Sequence, residues 1–136
     1  KQKELKEQRR KNKELKLSTL KKRSDFLRVA AARQKWISPT VIIQTSKKPT
    51  PEGGDIRVGY TASKKVGNAV FRNKAKRRLR EAVKQVLISG AKKDHDYVLI
   101  ARREISERSF KELIRDLKWS LKRLHDNSGK KRGEAN

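Results

Sequence analysis

The sequence predicts an α+β fold, a two-layer α/β sandwich in which three helices pack on a small, mixed four-stranded sheet. Two long stretches carry apolar residues at helical spacing, and shorter stretches are β-branched or alternate between apolar and polar residues. The elements follow the order helix, strands, helix, strand, helix, with no internal repeat. A length of 136 residues allows one domain with a modest core, so these elements are expected to share it.

The first elements are a short helix and two strands. The helix is expected to begin near Ser24 and to end near Gln34. An extended stretch at residues 35–37 and a β-branched strand at residues 40–45 follow, and Pro39 excludes a helix between them.

The second half supplies one more strand, a long helix, a buried strand and a last helix. Apolar and polar residues alternate over 56–63, which is typical of a strand with one buried face. Helical periodicity then predicts a long amphipathic helix at 69–88, and the apolar run at 97–101 predicts a buried strand. The last helix begins at Ser109, since Ser109 and Glu112 have the spacing of a capping box.

Residues 1–19 are expected to be a disordered basic extension, residues 20–126 the folded domain and residues 127–136 a tail. The chain has 39 Lys and Arg against 15 Asp and Glu, a net charge of +24. The extension holds eight basic and three acidic residues, which leaves +19 on the rest. Because such a charge opposes compaction, a polyanionic partner is predicted, and nucleic acid is the first candidate.

Other classes of protein are disfavoured by composition. No apolar run approaches the roughly 18 to 20 residues needed to cross a bilayer, so no membrane partner is expected. The chain has no cysteine, which excludes disulfides, thiolate catalysis and cysteine-ligated zinc. This composition suits a reducing compartment, and the cytoplasm is the expected location.

The segment from Lys64 to Arg80 holds eight cations and no acid. On the predicted helix its side chains form two adjacent rows, Arg72, Lys76 and Arg80 and, beside them, Asn73 and Arg77. Like charges at this spacing destabilise an isolated helix by about 0.2–0.5 kcal/mol per pair. The arrangement therefore indicates a face that binds phosphates.

The stretch SKKVGNAVFRNKAKRRLRE, residues 63–81, resembles the signature of the bacterial ribonuclease P protein subunit. The hallmark of that family is an Arg-Asn-Arg helix after a Ser-Lys-Lys-x-Gly-Asn-Ala strand end. The similarity extends to LKKRSDFLRV, RVGYTA, DYVLIAR and SFKEL, so it covers most of residues 20–124. Two positions depart from the pattern: Lys74 stands for the third hallmark residue, and Ala30 stands where the family often has an aromatic.

The resemblance implies an accessory subunit of an RNA-based endoribonuclease. In this family a catalytic RNA binds magnesium and removes the 5′ leader of precursor tRNA, so no catalytic residue or metal ligand is expected on the protein. The expected partners are one catalytic RNA per protein copy and precursor tRNA. A left-handed βαβ crossover in the sheet is also implied.

The family motif implies which residues bind RNA. Those expected to dock on the catalytic RNA are Ser63, Lys64, Lys65, Gly67, Asn68, Arg72, Asn73, Lys74, Lys76, Arg77 and Arg80. A cleft between the first helix and the sheet is expected to hold the leader, with Phe26, Arg57, Thr61 and Ser63 as its residues. The strand alternation independently places Arg57, Thr61 and Ser63 on one polar face.

Several residues leave alternatives open. A structural RNA-binding protein of the ribosomal type would share the charge, size and mixed architecture. A protein-only nuclease would need acid–base or metal-binding groups, and residues 94–96 (Asp-His-Asp) are expected to be a solvated turn instead. His125 is expected to act as an imidazolium at the end of the last helix. Packing is favoured over RNA stacking for Trp36 and Trp119.

Overall fold

The computed structural model describes residues 17–49, 56–92 and 94–126. Within these ranges the chain forms five strands, three α-helices and two short 3-10 turns. The elements are β1 (Leu17–Thr19), α1 (Arg23–Ala31), β2 (Gln34–Ile37), β3 (Val41–Lys47), β4 (Ile56–Ala62), α2 (Ala69–Gly90), β5 (His95–Ala101) and α3 (Phe110–Asp126). The 3-10 turns span Lys64–Val66 and Arg103–Ser106.

The strands form one mixed sheet in the order β1-β4-β5-β3-β2. Strand β4 runs parallel to both β1 and β5, whereas β3 runs antiparallel to β5 and β2. The neighbouring parallel strands β4 and β5 are joined through α2, which makes a βαβ unit. The α+β class and the three helices are confirmed, and the left-handed course of this unit stays a prediction.

The expected count of four strands is wrong by one, because β1 is an additional edge strand. Leu17 pairs in register with Ile56 and packs against the main core. A strand of three residues is too short for a period-two pattern to emerge from the charged residues around it. The ordered sheet thus begins at residue 17, inside the predicted extension, while residues 1–16 and the tail at 127–136 lie outside the described residues.

Helices α2 and α3 pack together on one face of the sheet and bury the main core. Leu79 and Val83 of α2 and Leu113 and Leu117 of α3 are fully buried in the same cluster as the inward-facing residues of β3, β4 and β5. Burying each such side chain contributes about 1.5–3 kcal/mol. The capping box of α3 is confirmed, since the Glu112 amide donates to Ser109 Oγ at 3.2 Å. None of the described helices is both long and apolar enough to cross a bilayer.

Helix α1 packs on the opposite face through a small second core. Val29 is fully buried against Leu20 and Val98. The helix ends at Ala31 rather than near Gln34, because Arg33 has a left-handed φ of 56° and turns the chain into β2. One helix of nine residues covers only part of this face.

Candidate nucleic-acid interface

Local hydrogen bonds set the direction of the segment that enters α2. The Asn68 side chain caps the helix by accepting hydrogen bonds from the amides of Val70 and Phe71, at 3.1 and 3.3 Å. Ser63 Oγ accepts a hydrogen bond from the Lys65 amide at 3.2 Å. Gly67 between them has a φ of 134°, which favours glycine. Ser63, Gly67 and Asn68 therefore fix the backbone, while Lys64 and Lys65 stay exposed.

The expected docking residues of α2 form a cationic face. Asn73, Lys74, Arg77 and Arg80 are exposed, and Arg72 and Lys76 are half-buried. Within the described ranges, none of these five cations forms an ion pair with an acid. The buried Nε of Arg72 has no hydrogen-bond acceptor in that part of the chain. We call these six residues the α2 face.

Tyr60 anchors one side of the α2 face to the sheet. The guanidinium of Arg80 lies over the Tyr60 ring, 5.2 Å from its centroid. Burial raises the pKa of the Tyr60 hydroxyl to about 12, although the charge of Arg80 acts in the opposite direction. Tyr60 is thus neutral at physiological pH and holds the Arg80 side chain beside the sheet.

One cation in the same stretch of sequence has a structural role. Arg78 donates hydrogen bonds to the carbonyl of Ile105 and, at 2.9 Å, to that of Arg108. These bonds tie α2 to the turn that precedes α3. The count of eight cations between Lys64 and Arg80 therefore overstates the charge that is available for phosphates.

A buried ion-pair cluster joins α1 to the sheet and includes Arg57. Asp96 is fully buried and accepts two hydrogen bonds from Arg57, at 2.8 and 2.6 Å, and one from Arg28. Burial alone would raise the pKa of Asp96, but the bonds from both guanidinium groups outweigh it and the pKa lies below its usual value. The same hydrogen bond to Asp96 raises the pKa of Arg57. Sequence reasoning placed Arg57 on a polar strand face but missed its partners, Asp96 and Arg28.

The expectation of a solvated turn at residues 94–96 is wrong for two of the three. His95 is buried at the start of β5, and its Nδ1 lies 2.8 Å from an Asp94 carboxylate oxygen. That bond lowers the pKa of the exposed Asp94. Because Asp96 pairs in register with Arg57, its carboxylate lies on the opposite face of the sheet from Tyr97 and the main core. In the described part of the chain, no three His, Cys, Asp or Glu side chains gather where they could hold a metal ion.

The expected cleft corresponds to the part of this sheet face that α1 leaves uncovered. Phe26 is half-buried over Gly59, so closely that a Cβ at Gly59 would lie 2.5 Å from Phe26 Cζ. Phe26 and Ile100 both pack against the second core, and Ile100 lines a pocket of about 390 Å³ on the same sheet face. The other walls of this pocket are Pro39, Ile42, Ser63, Lys65, Arg102, Arg103 and Glu104. Thr61 pairs in register with Ile100, so the expected cleft residues Phe26, Thr61 and Ser63 lie along one surface.

His125 does not act as the expected imidazolium at the end of α3. Its Nε2 lies 2.7 Å from the buried hydroxyl of Tyr97. Burial, reinforced by the charge of Lys92, lowers the pKa of His125 to about 4, so the ring is neutral at physiological pH. The prediction failed because the sequence does not show that the last turn of α3 packs on β5.

A mixed sheet, a helix whose cations have no acidic partner among the described residues and a pocket on the opposite sheet face together define a small, basic α+β protein with a surface suited to nucleic acid. The family model of ribonuclease P matches residues 15–125. The chain belongs to the ribonuclease P protein family, and its role is that of a protein subunit in this tRNA-processing nuclease. The ribosomal alternative is thereby set aside.

Similar proteins support this assignment in sequence and in structure. The ribonuclease P protein component of Paramagnetospirillum magneticum is 51% identical over 110 residues, which cover 79% of this chain and 83% of that protein. The Staphylococcus aureus RNase P protein has a TM-score of 0.62 at 28% identity, with 76% of this chain and 92% of that chain covered. The RNase P protein from Thermotoga maritima has a TM-score of 0.64 at 26% identity, with coverages of 78% and 96%.

Proposed function

We propose that this subunit docks on the catalytic RNA through the α2 face and holds the 5′ leader of precursor tRNA in the cleft. It thereby assists the magnesium-dependent removal of the leader. The observation that carries this proposal is the α2 face itself, whose five cations have no acidic partner among the described residues.

Docking on folded RNA suits the geometry of α2. Arg72, Lys76 and Arg80 succeed one another along the helix, and phosphates along an RNA backbone can neutralise them in turn. A phosphate oxygen would also supply the acceptor that Arg72 Nε lacks. Lys74 keeps the charge of the family's third hallmark residue, but a lysine does not form the bidentate contact of an arginine.

The cleft suits an unpaired strand of arbitrary sequence. Such strands are held by phosphate contacts and by stacking on a few rings, because every base has a π-face. Phe26 offers a half-buried ring, and Thr61, Ser63 and Lys65 offer hydroxyls and a cation. Arg57 acts indirectly here, since it pairs with Asp25 of α1 and shares Asp96 with Arg28 of α1, and these contacts help to hold α1 on the sheet.

The chemistry belongs to the RNA in this proposal. Among the described protein residues, no three His, Cys, Asp or Glu side chains are grouped to bind a metal ion. Magnesium held by the catalytic RNA would activate the water that attacks the phosphodiester. The protein, one copy per RNA in the cytoplasm, would lower the repulsion between two polyanions.

The direct test is cleavage of precursor tRNA by the catalytic RNA at low magnesium, with and without the protein. We expect the protein to raise the cleavage rate and the affinity for the precursor. An unchanged rate and affinity, or cleavage by the protein without RNA, would overturn the proposal.

Two sets of variants separate the two surfaces. Replacing Arg72, Arg77 and Arg80 by alanine should weaken binding to the catalytic RNA, with Lys84→Ala on the same helix as the control. Phe26→Ala should weaken binding of precursor tRNA more than that of mature tRNA, which lacks the leader. An equal loss for both tRNAs would contradict a leader cleft.

A further inference from the structure

Helix α3 carries a second row of exposed cations on its outer side. The spacings of four, three and four residues place them along one side of the helix, away from the buried Leu113 and Leu117. We call this row the α3 ridge, and its members are Lys111, Arg115, Lys118 and Lys122. None of them forms an ion pair with another described residue.

The acids of α3 are largely engaged elsewhere. Glu112 accepts a hydrogen bond from the Ser109 amide at 3.1 Å and another from Arg108 at 3.1 Å. Asp116 accepts a hydrogen bond from the Thr40 hydroxyl at 2.6 Å. Among the described acids, Asp126 alone lines the same groove as Lys118 and Lys122, at the end of the helix. Most of the positive charge of the ridge is therefore uncompensated.

An exposed aromatic ring flanks the ridge. Arg123 lies over the rings of Trp119 and Trp36, with its guanidinium carbon 5.0 and 5.4 Å from their centroids. Trp36 packs against the main core, as expected, whereas Trp119 lies off the main core and is 52% exposed. An exposed indole beside a row of cations offers stacking for a base and neutralisation for its phosphates. An acidic protein surface would use the cations but would have no need of the indole.

We propose that the α3 ridge and Trp119 bind an unpaired segment of the same RNA that docks on α2. Helices α2 and α3 lie side by side on one sheet face: Arg78 bonds the Arg108 carbonyl, and a Cβ at Gly90 would lie 3.4 Å from Leu121 Cδ1. The leader cleft lies on the other face. An RNA bound to α2 can therefore reach the ridge without crossing a sheet edge. The inference that this RNA is the ligand of the ridge rests on the proposed function.

Tryptophan fluorescence reports on this surface selectively. The chain has two tryptophans, and both lie beside Arg123, whereas the α2 face and the cleft contain none. The experiment titrates the full chain with the catalytic RNA and, separately, with a single-stranded leader oligonucleotide, with excitation where tyrosine does not absorb. We expect saturable quenching by the catalytic RNA and little by the leader.

Charge removal tests the ridge itself. The variant Arg115→Ala/Lys118→Ala/Lys122→Ala should flatten the plot of log affinity against log salt by about two, because each lost contact to a single strand contributes about 0.7. The control Lys21→Ala/Lys47→Ala/Lys84→Ala removes the same charge from exposed positions elsewhere and should change the slope little. Trp119→Leu should weaken binding by about fivefold or more, measured by filter retention.

The outcomes separate this inference from the proposed function. If the ridge variant binds the catalytic RNA like its control, the α3 surface is refuted and the α2 face is untouched. If Arg72→Ala/Arg77→Ala/Arg80→Ala binds normally while the ridge variant does not, the proposed docking on α2 fails and the ridge stands. Equal quenching by the leader would refute the chosen occupant. Equal quenching by polyglutamate, with no effect of Trp119→Leu, would assign the ridge to an acidic protein.

Discussion

Asp96 shows how one buried charge can connect several elements. Its carboxylate joins Arg57 of β4 and Arg28 of α1 to β5, and no other described carboxyl group is completely buried. Sequence reasoning could not find it, because an Asp-His-Asp triplet before an apolar strand resembles a turn. The signal that could have found it is register: once β4 and β5 are paired in parallel, Arg57 lies opposite Asp96.

Replacing Asp96 by asparagine leaves two partly exposed guanidinium groups without their anion. We expect a loss of about 2–3 kcal/mol in the free energy of unfolding, measured by urea denaturation at neutral pH, because breaking a buried pair costs about 3–5 kcal/mol and these arginines are partly solvated. Since the folded-state pKa of Asp96 is depressed, its contribution is present above pH about 4 and is lost as the pH falls further. The difference between the two proteins should shrink accordingly. Asp94→Asn, at an exposed neighbour, is the control, and an equal loss there would contradict this account.

His125 gives the protein a second dependence on pH. The unfolded ring titrates near its usual pKa of about 6.5 and the folded ring at about 4, so protonation favours the unfolded state between these values. Stability should be complete above pH about 6.5 and should fall by about 1 kcal/mol by pH about 5, after allowance for solvent exposure. His125→Gln can keep a hydrogen bond to Tyr97 without titrating, so its unfolding free energy should be flatter over this range. Parallel curves would show that His125 does not cause the decline.

The long elements can be predicted from the sequence because the spacing of their apolar residues repeats over many positions. Helix α2, the strand β5 and the capped helix α3 appear where periodicity predicts them, and their buried faces are the expected ones. Short elements are harder to predict, because they hold too few residues for a periodic pattern. Strand β1 has only three residues, and the end of α1 depends on a backbone reversal at Arg33. The docking of α1 on the sheet also depends on Gly59, which receives the Phe26 ring.

Gly59→Ala tests how tightly α1 docks. The new Cβ would overlap the Phe26 ring, so the ring and the helix must shift, and overpacking of this kind costs about 1–3 kcal/mol. Thermal or urea unfolding should show this loss. Gly90→Ala is the matched control, because its Cβ meets Leu121 at an ordinary contact distance and alanine favours the helix. Similar losses for both variants would mean that the Gly59 contact is not special.

For the whole molecule, charge is the property that sequence predicts best and structure refines most. A net charge of +24 predicts a polyanionic partner, but it does not say which cations are available. In the structure, Arg28 and Arg57 bind Asp96, and Arg78 binds backbone carbonyls. Within the described ranges, the cations of the α2 face form no ion pair with an acid. Which arginines bind carboxylates or carbonyls depends on contacts between distant parts of the chain, so local sequence cannot separate them.

Binding to the catalytic RNA should therefore depend steeply on salt, and only the available cations should contribute. We expect Arg72→Ala/Arg77→Ala/Arg80→Ala to lower the slope of log affinity against log salt by about two to three. Lys84→Ala, which removes a cation already paired with Glu81, should lower it by less than one. Mobility shifts across a salt series measure both slopes. Equal slopes for the wild type and the triple variant would show that these α2 cations do not contact the RNA.

The short strand β1 also hinders self-association of the protein through the edge of its sheet. It covers the outer edge of β4, where Leu17 to Thr19 pair with Ile56 to Val58. Without this cover, the backbone amides and carbonyls of β4 would form an open edge that another chain could extend. A protein shortened to begin at Leu20 should therefore aggregate when concentrated without RNA, even though it keeps the α2 face and all the expected cleft residues.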